Sequence, residues 1–185
     1  MDFLRLILYR LDIFFNDPQM LGALFNNRFI LILLVILLMR MKYATYSSLW
    51  ASALVNIPGT FLHELMHYLV GLVLNARPCD FTIFPKKGEN GTYVMGSVGF
   101  RNVTWYNAIP AAMAPLLLLV IGFYINRHYL PQMHPTLLNY ILYVLLQTII
   151  IENSIPSGMD FKVAGMYLKG VLFYGALLIL LIVAI

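Results

Sequence analysis

The chain has 185 residues, enough for one domain. Apolar residues make up 61% and charged ones 11%, with a mean hydropathy of +0.81, where a soluble domain is nearer half apolar and a quarter charged. That balance argues against a soluble domain and for an integral membrane protein embedded in a lipid bilayer. The net charge of +4 comes from scattered Lys and Arg and forms no basic stripe, so nucleic acid is not an expected partner.

The single cysteine, Cys79, excludes an intramolecular disulfide and is expected as a small apolar filler. No small-residue cleavage site follows a short apolar run near Met1, so no removable signal peptide is expected.

Residues 1–18 mix apolar and charged positions and predict a short amphipathic helix, lying on the membrane surface or packed on the protein's own core. From Arg28 to Lys42 runs an apolar stretch that predicts the first span. It is short for a bilayer, so the span is expected to start near Leu21 or to reach Tyr46, with Arg28, Arg40 or Lys42 snorkelling.

The second predicted span, about Ser47 to Asn75, holds His63-Glu64-Leu65-Met66-His67. On a helix, positions i and i+4 share one face, so His63 and His67 can offer two imidazole nitrogens to one metal ion. Glu64 sits beside them, placed to take a proton from water rather than to bind the ion. Zinc suits such ligands, and a catalytic zinc takes three of them and leaves one position open. The bland reading is a pair of packing histidines. Ionisable groups in a spanning helix argue against it, because they are costly without partners. Pro58, just before the motif, is a candidate kink.

Cys79 to Phe84 and Thr92 to Phe100 are rich in β-branched and aromatic residues, with a turn-forming Pro85-to-Gly91 cluster between them. They predict a small membrane-associated β-hairpin, or else a surface loop capping the bundle. Gly96 and Gly99 would weaken a strand or let another backbone come close. The third span, about Trp105 to Tyr124, opens on Asn107, Pro110 and Pro115 and is expected to start irregularly. His128 and His134 follow in a polar loop and are expected to be solvated.

The fourth span starts near Thr136 and runs into Glu152-Asn153-Ser154-Ile155-Pro156-Ser157-Gly158-Met159-Asp160. Pro156 and Gly158 break it, and broken backbone at membrane depth is tolerated where it lines a cavity. Asp160 is the natural third ligand, since a carboxylate completes two histidines at a zinc site. The alternative is a helix-capping aspartate. Glu152 is a weaker ligand candidate. Met166 to Ile185 forms the fifth span. The expected fold is therefore an α-helical multi-pass membrane protein of about five transmembrane helices with a small hairpin. With five alternating spans, most basic residues fall on the side of the N-terminus, the hairpin and Asp160. The positive-inside rule makes that side cytoplasmic, with Arg40 and Lys42 opposite.

His63-Glu64-x-x-His67 and the later Asn153-x-x-Pro156…Asp160 segment make the chain resemble the site-2 protease family of intramembrane zinc metalloproteases. The resemblance covers the three-span core, about 47–162, of a single domain spanning 1–185. The family's later motif runs Asn-x-x-Pro-x-x-Pro-x-Asp-Gly. Here the Pro-to-Asp spacing is one shorter, the second proline is absent, and Phe161 replaces the glycine.

The resemblance implies a zinc metalloendopeptidase with one zinc per chain held by His63, His67 and Asp160. Glu64 would be the general base, and Asn153 a catalytic group that hydrogen-bonds the substrate backbone or the developing oxyanion. The implied substrate is a transmembrane segment of another membrane protein, and the implied place is the cell membrane of a prokaryote. Two other readings stay open. One is a catalytically inactive metal-binding membrane protein that binds transmembrane helices. The other is a structural bundle without metal.

Overall fold

The computed structural model describes residues 3–43, 48–87 and 93–184. It is mostly helical, with nine α-helices and two small two-stranded sheets among the described residues. Helix α1 (Phe3–Phe15) has no buried residue, so it is not packed on the protein's own core. Asp17 starts α2 (Pro18–Asn26) by accepting the Gln19 N–H at 3.2 Å, and Pro18 fills the first turn, where no donor is needed.

Asn27 ends α2 and starts α3 (Arg28–Lys42). Its backbone is extended, and its side-chain oxygen accepts from the Phe29 and Ile30 N–H groups at 3.0 and 3.3 Å. A cap placed there forces a corner, and α2 and α3 meet at 79°. The first apolar segment therefore does not extend back to Leu21 as one straight helix.

Ser48 caps α4 (Leu49–Val73), which continues through Pro58 without interruption. Its expected start at Ser47 lies outside the described residues. Asn75 follows in the left-handed region at φ 54°, a common way for a helix to end. The hairpin then forms. Strand β1 (Pro78–Thr82) pairs antiparallel with β4 (Ser97–Phe100), with a bulge between Cys79 and Thr82, and β2 (Lys86–Lys87) pairs with β3 (Tyr93–Val94). The Asn90-Gly91 turn lies outside the described residues.

The third apolar segment is irregular at its start, as its prolines predict. A short α5 (Ala108–Ala112) gives way to a 3-10 turn at Ala114–Leu116 and then to α6 (Leu117–His128). Thr136 caps α7 (Leu137–Glu152), which stops where the sequence predicts a break. Helix α8 (Gly158–Ala164) and helix α9 (Leu168–Ala184) follow, meeting at 95°. The core cluster joins Leu31 and Val35 of α3 to Leu130 and to Tyr140, Tyr143 and Val144 of α7.

Two expectations need correction. No single helix among the described residues is long and apolar enough to cross a membrane; the bent pairs α2–α3 and α8–α9 meet that test only jointly. The placement of Lys42 opposite the Asp160 break also fails. Helix α3 lies along α7 from Tyr140 to Glu152, and the Lys42 ammonium pairs with the Glu152 carboxylate at 2.5 Å. Three expected spans lie between Lys42 and Asp160, and the Lys42–Glu152 contact means that they do not alternate as counted. Arg40 and Lys42 belong to the Glu152 end of the bundle.

Asn107 holds the hairpin to the helices. It is fully buried; its side-chain oxygen accepts the Thr104 N–H at 2.7 Å, and its amide donates to the carbonyls of Asn102 (2.9 Å) and Leu74 (3.4 Å). Removing such a group strands buried partners at about 1–3 kcal/mol each. Asn107→Ala is expected to lower stability by about 3 kcal/mol, read as a lowered unfolding midpoint in detergent.

Candidate metal centre

The site forms where α4 passes the broken ends of α5 and α7. His63 and His67, one turn apart on α4, each have Nδ1 at 2.8 Å from a backbone carbonyl: Asn153 for His63 and Ala111 for His67. A carbonyl only accepts, so Nδ1 carries the proton in both rings and Nε2 of each neutral ring is a bare lone pair. These two Nε2 atoms face each other at 3.2 Å. Asp160 closes the group, with Oδ1 3.2 Å from His67 Nε2 and Oδ2 3.6 Å from His63 Nε2.

Three acceptors pointed at one another repel unless a metal ion lies between them or one ring takes up a proton. Ligand bonds of about 2.0–2.2 Å in a tetrahedral zinc site put neighbouring ligand atoms ~3.3–3.5 Å apart. The 3.2 Å between the two Nε2 atoms and the 3.2 Å from His67 Nε2 to Asp160 Oδ1 lie close to that edge length. The donor set of two imidazoles and one carboxylate fits a zinc ion, and the three residues form a group able to hold a metal ion.

Asp160 does two jobs. It is the third helical residue of α8 in a reciprocal capping box: Ser157 Oγ accepts the Asp160 N–H at 3.3 Å, and Asp160 Oδ2 accepts the Ser157 N–H at 2.6 Å. The capping alternative is realised, and the helix start aims the same carboxylate at the histidines.

Glu64 is buried and lines the same cavity, of about 360 Å³, outside the group of three. The hairpin lies directly on it. A Cβ at Gly96 would stand 2.8 Å from Glu64 Oε1 and would overlap the Thr60 methyl, so only glycine lets the strand approach this closely.

Asn153 lines the cavity too, but its visible work is structural: its carbonyl orients His63, and its side-chain amide donates to the Ile149 carbonyl at 2.8 Å. Glu152 also lines the cavity, paired to Lys42 and outside the ligand group. His128 ends α6 against the Tyr124 ring, and neither it nor His134 joins the cluster. Cys79 lies in β1, half-buried.

Sequence reasoning missed Ala111, the Asn153 carbonyl, Ser157 and Lys42. Only Ser157 had a readable signal, the Ser-x-x-Asp pattern of a capping box. Comparison of the chain with protein-family models, with characterised proteins and with solved structures found no match.

The geometry assigns separate effects to the ligands and to Glu64. His63→Ala, His67→Ala and Asp160→Ala should each abolish or strongly reduce zinc content, measured by elemental analysis of detergent-purified protein. Glu64→Gln should retain about one zinc per chain.

Proposed function

We propose that this protein is an intramembrane zinc metalloendopeptidase that hydrolyses a peptide bond in or near a transmembrane segment of another membrane protein. One observation carries this reading: two bare imidazole nitrogens and a carboxylate converge, with a buried glutamate beside them in the same cavity. His63, His67 and Asp160 would hold the ion. When bound, zinc supplies a Lewis acid for the peptide carbonyl and lowers the pKa of water. Glu64 takes the proton from the attacking water and delivers it to the leaving amine. One Asn153 amide hydrogen is used on Ile149; the other suits a substrate carbonyl or the developing oxyanion.

The cavity supports an extended substrate. One wall is the Val94-to-Val98 segment, and the other is the break that carries Ile155, Met159 and Asp160. Among the described residues β4 is paired on one edge only, to β1. Helical amides are shielded by their own hydrogen bonds, so a transmembrane substrate must unwind to be cut. A strand edge beside the site would hold the unwound backbone by strand addition.

Membrane embedding is part of the proposal. Apolar side chains are exposed along α3, α6 and α7, and from Leu177 to Val183 of α9 they stand between 52% and 78% exposed. Such a surface in water would aggregate, and lipid is its natural solvent. Arg40 and Lys42 lie at the Glu152 end of α3 and Arg28 at its other end, so basic residues stand toward both sides. The proposed place is the cell membrane of a prokaryote, with the site toward the cytoplasm.

Glu64→Gln is expected to cut the cleavage rate of a reconstituted transmembrane substrate by about 10²–10⁴-fold with zinc retained. Unchanged cleavage would overturn the assignment. Zinc-loaded wild type that binds helices and cuts none of a substrate panel would favour the inactive helix-binding reading. Val98→Pro removes a strand donor and is expected to slow cleavage with zinc content unchanged, which gel-based cleavage assays and elemental analysis check together.

A further inference from the structure

The Lys42–Glu152 pair lies beside the metal centre and has no role in the chemistry above. Lys42 ends α3, outside the 47–162 core that carries the motifs. Its ammonium reaches Glu152 at 2.5 Å, and both side chains are largely buried, 11% and 14% exposed. Glu152 lines the same cavity as the three ligands and directly precedes Asn153, whose carbonyl orients His63. Its carboxylate nevertheless stands outside the ligand group.

A buried carboxylate stays charged only beside a cation. The Lys42 ammonium is one cation for this carboxylate, and the ion that His63, His67 and Asp160 would hold is another. We propose that Lys42 sets the coordination number of the metal site. By holding Glu152, it keeps that carboxylate from joining the site as a fourth protein ligand, which beside the attacking water would raise the coordination number to five. Lys42 is thus a positioning residue that acts through Glu152. The inference rests on the metal reading above and adds a residue from the N-terminal arm to it.

Charge alone is not the requirement. A buried ion pair is a poor source of stability, because desolvation offsets most of the attraction. Its value here is registry: it ties the end of α3 to the last residue of α7, the turn that presents the Asn153 carbonyl. A plain structural tie would not care whether Glu152 can bind metal, and the test uses that difference.

The full-length protein in detergent is stripped of metal, loaded with Co²⁺ and read by visible absorption. Wild type is expected to show the intense bands of a tetrahedral site. In Lys42→Met, Glu152 turns to the metal; the bands should weaken severalfold and shift to shorter wavelength as coordination rises. Lys42→Met with Glu152→Gln should recover the wild-type spectrum, and Lys42→Arg should never lose it.

A wild-type spectrum in Lys42→Met overturns the inference. So does an altered spectrum that Glu152→Gln fails to restore, since the effect then does not run through Glu152. If Lys42→Met fails to fold, Lys42→Gln is read by the same criteria. Absence of Co²⁺ bands in wild type would refute the metal reading itself, a result distinct from an unaltered spectrum in the Lys42 variant.

Discussion

Two imidazoles on one helix face, each with its Nδ1 proton committed to a backbone carbonyl, set the terms for this molecule. Once those protons are committed, both Nε2 lone pairs must point into the space between the rings. Asp160 adds negative charge to the same space. The three can share that space only with a metal ion or an added proton between them. The surrounding fold has one task, which is to bring two carbonyls and a carboxylate to α4 at the right height.

The carbonyls come from helix ends. An α-helix leaves its last four C=O groups without intrahelical donors, and in apolar surroundings each one needs a partner. Asn153 is the residue at the end of α7, and Ala111 lies in the last turn of α5. Breaking those helices beside α4 exposes acceptors, and the histidine N–H groups satisfy them. The breaks and the histidine pair thus solve each other's problem: irregular backbone orients the rings, and the rings satisfy the irregular backbone. The same logic covers α8, whose capping box both starts a helix and fixes the Asp160 carboxylate.

This division explains what could be read from residues alone. The His63–His67 pair was legible because helical spacing puts i and i+4 on one face. The break was legible because Pro156 and Gly158 cannot continue a helix, and the hairpin because β-branched runs flank a turn cluster. Backbone carbonyls leave no trace in sequence, so Ala111 could not have been named. Asn153 was read for its side chain, whereas its carbonyl does the visible work. Five straight spans were expected from apolar runs. Asn27 shows why the first of them bends from the helix before it: one side chain both ends α2 and starts α3, and a cap leaves no room for a straight continuation. Contacts between residues far apart in sequence, such as Lys42 with Glu152, carry no local signal at all.

The close approach of the hairpin to α4 bears on how such a site could work. Gly96, between β3 and β4, leaves no space for a side chain above Glu64 and Thr60, so hairpin and α4 are in direct contact. A second glycine contact repeats on the other flank. Gly59 of α4 faces the Asn153 side chain so closely that a Cβ there would overlap its amide. Helix α4 is therefore pinched between the strand on one side and the end of α7 on the other, with the histidines between the pinch points. Each contact sets a glycine against a side chain, Asn153 at Gly59 and Thr60 with Glu64 at Gly96, so the backbones come this close only because no second side chain stands there.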